Sequence, residues 1–331
     1  MRTPVGRCAV RIGNVDLAPG QTARGTLTLA ETEIPIRVAR GTEDGPCLWV
    51  NAAIHGDELE GTAGLWRVFD TIAATSLRGA LVGVLITNVS AYQALRRTSP
   101  IDDLDINRIF PGDPDRSFTW QLACEYKRTV ESSATHYVDL HGGGDTHEVI
   151  FYTIYRDGGG EASRASKEMA LAAGSPIVWS SRDQWLDNGL FALLTSAGIP
   201  SLIVEAGGEG RIREENVTAH ASSVLNVMKH LGMIDGSLTP TEVDAPVHSA
   251  NFVFSHRSGI WMSGHRAGAR LRHGDLVGSV RDAYGHTLEE IRCQSGDAIL
   301  LALRTAPMRA LRTGPTSASL ASSSIDLGGT E

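Results

Sequence analysis

The chain has 331 residues, 42% hydrophobic and 21% charged, the balance of a globular protein with room for one large domain and a smaller one. Its 30 basic residues stand against 38 acidic ones for a formal net charge of −8. Only three lysines occur (Lys127, Lys167 and Lys229) and the arginines form no dense run, so a nucleic acid is excluded as the expected partner.

No run reaches the ~18 apolar residues of a membrane span, and the N-terminal residues lack the apolar stretch of a signal peptide, so no membrane partner and a cytoplasmic protein are expected. The cysteines, Cys8, Cys47, Cys124 and Cys293, form no Cys-x-x-Cys pair, which predicts neither a zinc knuckle nor a disulfide framework.

Residues 1–45 carry short β-type runs, Thr26-Leu-Thr-Leu29 and Ile34-Pro-Ile-Arg-Val38, separated by glycine and proline. They read as a strand-rich lead-in packed on the domain that follows. From Cys47 the pattern changes. Buried strands are predicted at 47–53, 80–87, 136–140, 149–155, 176–179 and 201–204, and helices at about 58–75, 118–134, 161–173, 188–197 and 212–232. This alternation predicts an α/β domain over 46–240, with a mixed, mostly parallel sheet and helices on both faces.

Near Ser237-Leu-Thr-Pro-Thr241 the composition becomes loop-like, and short β-type runs punctuated by Gly-Asp and Gly-His pairs predict an all-β domain over 245–310. Its runs Arg272–Val280, Ala283-Tyr-Gly-His286 and Gly296–Leu300 resemble the barrel-sandwich folds of biotinyl and lipoyl carriers. Those carriers need an attachment lysine, and residues 230–331 contain none, which excludes a carrier role. The Ser-rich segment 311–331 is expected to be disordered.

The chemistry gathers at strand ends. His55-Gly-Asp-Glu58 follows the first buried strand at the start of a helix, where open α/β sheets place their sites. A histidine and a carboxylate three residues apart can face one metal ion. His141 ends another strand and opens onto Gly142-Gly-Gly144, a backbone bare enough for a ligand's close approach. Two histidines and one glutamate form the three-ligand set of a catalytic zinc with a fourth position left for water. Glu205 ends a third strand before Ala-Gly-Gly; burial there would raise its pKa and suit it to move protons. The loop Arg96–Gly112 offers Asn107 and Arg108 to grip a substrate carboxylate and Arg97 to meet a carbonyl. Each has a plain structural alternative: His141 could satisfy a backbone carbonyl, Glu205 could cap the next helix, and the charged loop could pair with its own aspartates.

Taken in order, His55-Gly-Asp-Glu58, Asp105-Ile-Asn-Arg-Ile-Phe-Pro-Gly112, Asp139-Leu-His141 and Val204-Glu-Ala-Gly-Gly208 resemble the succinylglutamate desuccinylase and aspartoacylase family, of the wider zinc carboxypeptidase fold. The resemblance covers about residues 30–310. It implies one zinc per chain held by His55, Glu58 and His141, with Glu205 as general base and acid. It also implies that Asn107 and Arg108 bind the α-carboxylate and that Arg97, with Arg96 adjoining, polarises the acyl carbonyl. The implied reaction is hydrolytic removal of an acetyl- or succinyl-type group from the nitrogen of a small N-acyl amino acid. Rival readings are a zinc carboxypeptidase acting on peptides and a non-catalytic ligand-binding relative. Tyr152, Tyr155 and Arg156 are candidates to line the pocket, His265 or His286 to close over it from the second domain, and Asp57 and Glu60 to orient the ligands or cap the following helix without binding the metal.

Overall fold

The computed structural model describes residues 11–238, 245–307 and 322–326. A small hairpin, β1 (Arg11–Ile12) with β2 (Val15–Asp16), leads into β3 (Gln21–Leu29), β4 (Thr32–Arg40) and β5 (Glu43–Ala52). There follow α1 (Glu60–Thr71), β6 (Arg78–Val84), α2 (Val89–Gln93), α3 (Phe118–Glu131), β7 (His136–His141) and β8 (His147–Arg156). After these come α4 (Gly160–Ala172), β9 (Ile177–Ser181), α5 (Leu190–Ser196), β10 (Ser201–Gly208) and α6 (Glu214–His230). The periodicity of the sequence thus finds each predicted strand and helix of this region within a few residues.

Strands β10, β7, β5 and β6 lie side by side and parallel. Antiparallel strands extend the sheet on both sides, β4 and β3 beyond β6, and β8 beyond β10. The sheet is therefore mixed, with parallel pairing in the middle and again where β9 runs alongside β8. The lead-in strands β3 and β4 complete one edge of this sheet.

Alternation along the central strands separates two cores. Trp49, Tyr137 and Ile203 face Leu122 and Tyr126 of α3 and Leu190 and Phe191 of α5. Leu48, Val50, Val138 and Val204 face Leu65, Val68 and Phe69 of α1, Met169 of α4 and Val224 and Val227 of α6. Residues i and i+2 share a face, so a strand covered on both sides must be apolar throughout, and this is why 47–53 reads as an unbroken apolar run.

The C-terminal strands are β11 (Ala245–Val247), β12 (Ser249–Val253), β13 (Ile260–Met262), β14 (Arg270–Arg272), β15 (Leu276–Arg281), β16 (Thr287–Arg292), β17 (Asp297–Arg304) and β18 (Ser322–Asp326). β13, β15 and β16 form a separate sheet over a core containing Trp261, Val277, Val280 and Ile291. β17 pairs with β8 and β11 with β9, so this all-β region continues the central sheet.

The structure corrects two expectations. Within the segment expected to be disordered, Ser322–Asp326 forms β18 between β12 and β17; backbone pairing builds this strand, and a Ser-rich sequence conceals it. The rest of that segment lies outside the described residues. Cys47 is disulfide-bonded, which the cysteine spacing gave no reason to expect, while Cys124 and Cys293 are free and buried. Among the described residues no helix is long and apolar enough to cross a membrane.

Two local features bring the chain out of β5 toward the site. Ala53 has a left-handed backbone (φ 49°), which bends the strand exit sharply. Gly56 then passes so close to α2 that a Cβ there would lie 2.0 Å from the carbonyl carbon of Ala91, and its N–H donates to the Arg96 carbonyl (2.9 Å). We therefore expect Gly56→Ala to destabilise the fold by ~2–4 kcal/mol, because backbone must move to admit the methyl group. Chemical denaturation checks this, and an unchanged midpoint would contradict the packing described.

Candidate metal centre

The strand order places a switch point between β5 and β7. The chain leaves β5 through α1 to β6 on one side, and β7 joins β5 on the other. Side chains emerging at the carboxyl ends of these two strands meet in the resulting crevice. His55 and Glu58 come from the exit of β5, and His141 ends β7. Their ligand atoms all lie within 4.8 Å of one another, and all three residues are buried.

The two imidazoles use the same nitrogen toward the centre. His55 Nδ1 lies 2.8 Å from Glu58 Oε1, and His141 Nδ1 lies 3.0 Å from Glu58 Oε2. Each outer nitrogen faces a carboxylate: His55 Nε2 is 3.1 Å from Asp105 Oδ1, and His141 Nε2 is 3.2 Å from Asp139 Oδ2. At His55 the hydrogen bond between Nε2 and Asp105 would place the proton there and leave the Nδ1 lone pair for a cation, and Asp139 stands at ion-pair distance from the same nitrogen of His141. The donor set therefore fits a zinc ion, with two imidazole nitrogens and one carboxylate converging.

Both aspartates are held in turn. Asn51 lies opposite Asp139 in the β5–β7 register and donates to its Oδ1 (2.5 Å). Asn51 Oδ1 accepts from the Tyr126 hydroxyl (2.9 Å) and from Thr87. Asp105 caps the turn Ile106–Arg108 by accepting from the Asn107 N–H (2.9 Å). Neither aspartate received a role from the sequence. The signal was present for Asp139, which stands two residues before His141 and so shares its face of the strand.

Electrostatics follow this arrangement. Burial acts to raise the Glu58 pKa, but His55 and His141 outweigh it and hold the carboxyl well below its ordinary value. Burial acts to lower both histidines. Glu58 and Asp105 nevertheless raise His55, against Arg97 as well, and Asp139 with Glu58 raises His141 well above its ordinary value. The crevice thus favours positive charge between these three side chains.

The other expected residues surround this centre. Arg97 donates from Nε to Asp105 (3.0 Å) and from one terminal nitrogen to Glu58 (3.1 Å), while 42% of its side chain stays exposed. Arg96 turns away to Asp103 (2.6 Å), so Arg97 is the one brought to the crevice. Asn107 is buried and already engaged: its Oδ1 accepts from the Leu190 N–H (3.1 Å), and its Nδ2 lies 3.2 Å from His141 Nε2. Arg108 keeps more of its donors, with one terminal nitrogen donating to the Asn107 carbonyl (2.9 Å). Burial pulls the Arg108 pKa down, with Asp105, Glu58 and Glu205 acting against it. Glu205 lies opposite His141 in the β10–β7 register; burial pushes its pKa up to about 7, with His141 opposing and Glu58 adding to the rise.

Of the more distant candidates, Tyr152 is buried beside the centre, its hydroxyl pKa pushed well up by burial and by Glu205 and Glu58. Tyr155 belongs to the core on the other face. Arg156 does not line the crevice but braces a loop, donating to the Asp183 carbonyl (3.1 Å) and pairing with Asp187. His265 and His286 are taken up by the Leu276 carbonyl and by Asp282 within the C-terminal region. Glu60 accepts from the Gly208 N–H and Asn216 Nδ2, both at 3.0 Å, and so ties the end of β10 to α6.

Fold and site together define an amide hydrolase in which two histidines and one glutamate gather where they could hold a metal ion. Residues 44–231 match the model of the succinylglutamate desuccinylase/aspartoacylase catalytic domain, and the chain belongs to that family. It is 29% identical over 255 residues to the N-alpha-acetyl-L-2,4-diaminobutyric acid deacetylase of Halomonas elongata, covering 75% of this chain and 74% of that one. The product-bound ectoine utilization protein EutE (DoeB) from Ruegeria pomeroyi shares its fold at a TM-score of 0.83 and 24% identity, over 96% of this chain and 98% of that one. A succinylglutamate desuccinylase/aspartoacylase from Rhodobacter sphaeroides does so at a TM-score of 0.78 and 24% identity, over 97% and 98% of the two chains.

With a carboxylate behind each of the two imidazoles that could hold a metal ion, Asp139→Asn and Asp105→Asn should each weaken metal affinity ~10–100-fold while leaving the far-UV spectrum unchanged. Competition with a chromophoric chelator measures this. Undiminished affinity in both variants would remove their orienting role.

Proposed function

We propose that the protein is a zinc-dependent deacylase that removes an acetyl group from the nitrogen of a small amino acid derivative in the cytoplasm. The observation that carries this reading is the convergence of both Nδ1 atoms on Glu58, with Glu205 and Arg108 facing the same crevice. The likeness to a diaminobutyric acid deacetylase supports acetyl over succinyl and makes N-acetyl-2,4-diaminobutyric acid the first substrate to try.

A zinc ion bound by His55, Glu58 and His141 would supply Lewis acidity, polarising the acyl carbonyl and making water more acidic. The chain's own groups do the rest. Arg108 holds the substrate carboxylate with its planar fork. Arg97 turns the donor it shares with Glu58 to the acyl oxygen and stabilises the negative charge that develops there. Glu205, as carboxylate, takes a proton from the attacking water and passes it to the departing nitrogen, so water and amide become acid and free amine.

Amine release from a panel of N-acetyl and N-succinyl amino acids and dipeptides, with and without chelator, tests the reading. We expect turnover of N-acetyl amino acids that is lost on chelation and restored by zinc; preferential cleavage of dipeptides, or no turnover of any of these, would overturn it. Glu205→Gln should keep its zinc and lose ~10²–10⁴ in kcat. An active Glu205→Gln enzyme would end the role assigned to that carboxylate.

The pH dependence has a fixed sign. Glu205 must be ionised to act as a base, so kcat/KM rises with pH through its titration. Burial places that pKa at about 7, and a dication beside it draws the value down, so the midpoint of the acid limb should fall below about 7. A rate that declines with rising pH across this limb would contradict the assignment.

A further inference from the structure

Arg108 needs something to hold its orientation. Its guanidinium donates to a neighbouring backbone carbonyl, that of Asn107, and among the described residues no carboxylate pairs with it directly. One hydrogen bond to a backbone carbonyl does not fix the plane of a guanidinium, and bidentate recognition of a carboxylate depends on that plane.

The missing constraint comes from the loop between β9 and α5. The guanidinium carbon of Arg108 lies over the Trp185 ring, 5.3 Å from its centroid. Trp185 is itself braced. The Trp179 ring meets it at 5.8 Å between centroids, tilted by 44°. Arg156 clamps the loop on both sides of the tryptophan, donating to the Asp183 carbonyl and pairing with Asp187. The same loop returns to the residue beside Arg108 through the bond from the Leu190 N–H to Asn107 Oδ1.

We propose that Trp185 is the positioning residue for carboxylate recognition: its ring, braced by Arg156 through Asp183 and Asp187, holds the Arg108 guanidinium with its fork toward the substrate. The inference rests on the deacylase reading, in which Arg108 grips the α-carboxylate. Stacking on an aromatic face fixes the guanidinium plane while leaving its edge donors free, a constraint that an ion pair could not supply without consuming them.

The test is calorimetric binding of a panel of N-acetyl amino acids and the matching carboxamides to zinc-loaded protein, in a Glu205→Gln background so that nothing is hydrolysed. The readout is the preference for acid over amide. Trp185→Leu should lower that preference about tenfold, whereas Trp185→Phe, which keeps an aromatic face, should keep most of it. Arg156→Met, which loosens the brace without touching either ring, should lower it in the same direction and guards against misfolding of the leucine variant. A general structural defect would weaken acids and amides alike and leave the preference intact, and that result overturns the proposal. If the parent protein binds acids no better than amides, the carboxylate grip itself is absent and the deacylase reading falls with it. If the parent discriminates and Trp185→Leu discriminates equally well, the positioning role alone is lost.

Discussion

One carboxylate, Glu58, lies 4% exposed between two imidazoles, and the architecture around it compensates a charge that burial alone would make costly. Both of its oxygens are taken. Oε1 meets His55 and Arg97, and Oε2 meets His141 and the Gly142 N–H. The partners come from a strand exit, a strand end, the Arg96–Arg108 loop and the glycine-rich turn after β7, so the centre forms only when the β5–β7 register is correct. Behind each imidazole stands an aspartate, and behind Asp139 stands the Asn51, Tyr126 and Thr87 network. This layering fixes the orientation of the three side chains through contacts within the protein itself.

The same crevice divides the work between rigid and adjustable parts. His141 and Glu205 sit on strands whose positions are fixed by backbone pairing, and His55 follows directly from another. The arginines sit on a loop and are held by side chains: Arg97 by the carboxylates of Asp105 and Glu58, Arg108 by an aromatic face. Groups that would move protons or hold a metal are therefore anchored by backbone, while the donors proposed to meet substrate oxygens keep exchangeable contacts.

Much of this was legible in the sequence because burial on both faces leaves a strong mark. The strands of the central sheet read as continuous apolar runs, and three of them lead to the titratable residues that the structure brings together: His55 just after β5, His141 on β7 and Glu205 on β10. What the sequence concealed depends on pairing across the fold. The orienting role of Asp139 depends on its register opposite Asn51, and the choice of Arg97 over Arg96 depends on the turn that sends Arg96 to Asp103. Trp185 belongs to the same class, since nothing in Gln184-Trp-Leu186 announces that it will lie beneath Arg108. Strand β18 was hidden for the same reason, as its pairing partners β12 and β17 lie elsewhere in the chain.

The proposed chemistry stands on the metal. Purified protein should contain about one zinc ion per chain by elemental analysis, and His141→Ala, which removes one of three ligands, should contain almost none while remaining folded. A folded protein that deacylates at full rate with its zinc stripped away, or a His141→Ala variant that keeps the parent's zinc content, would contradict it.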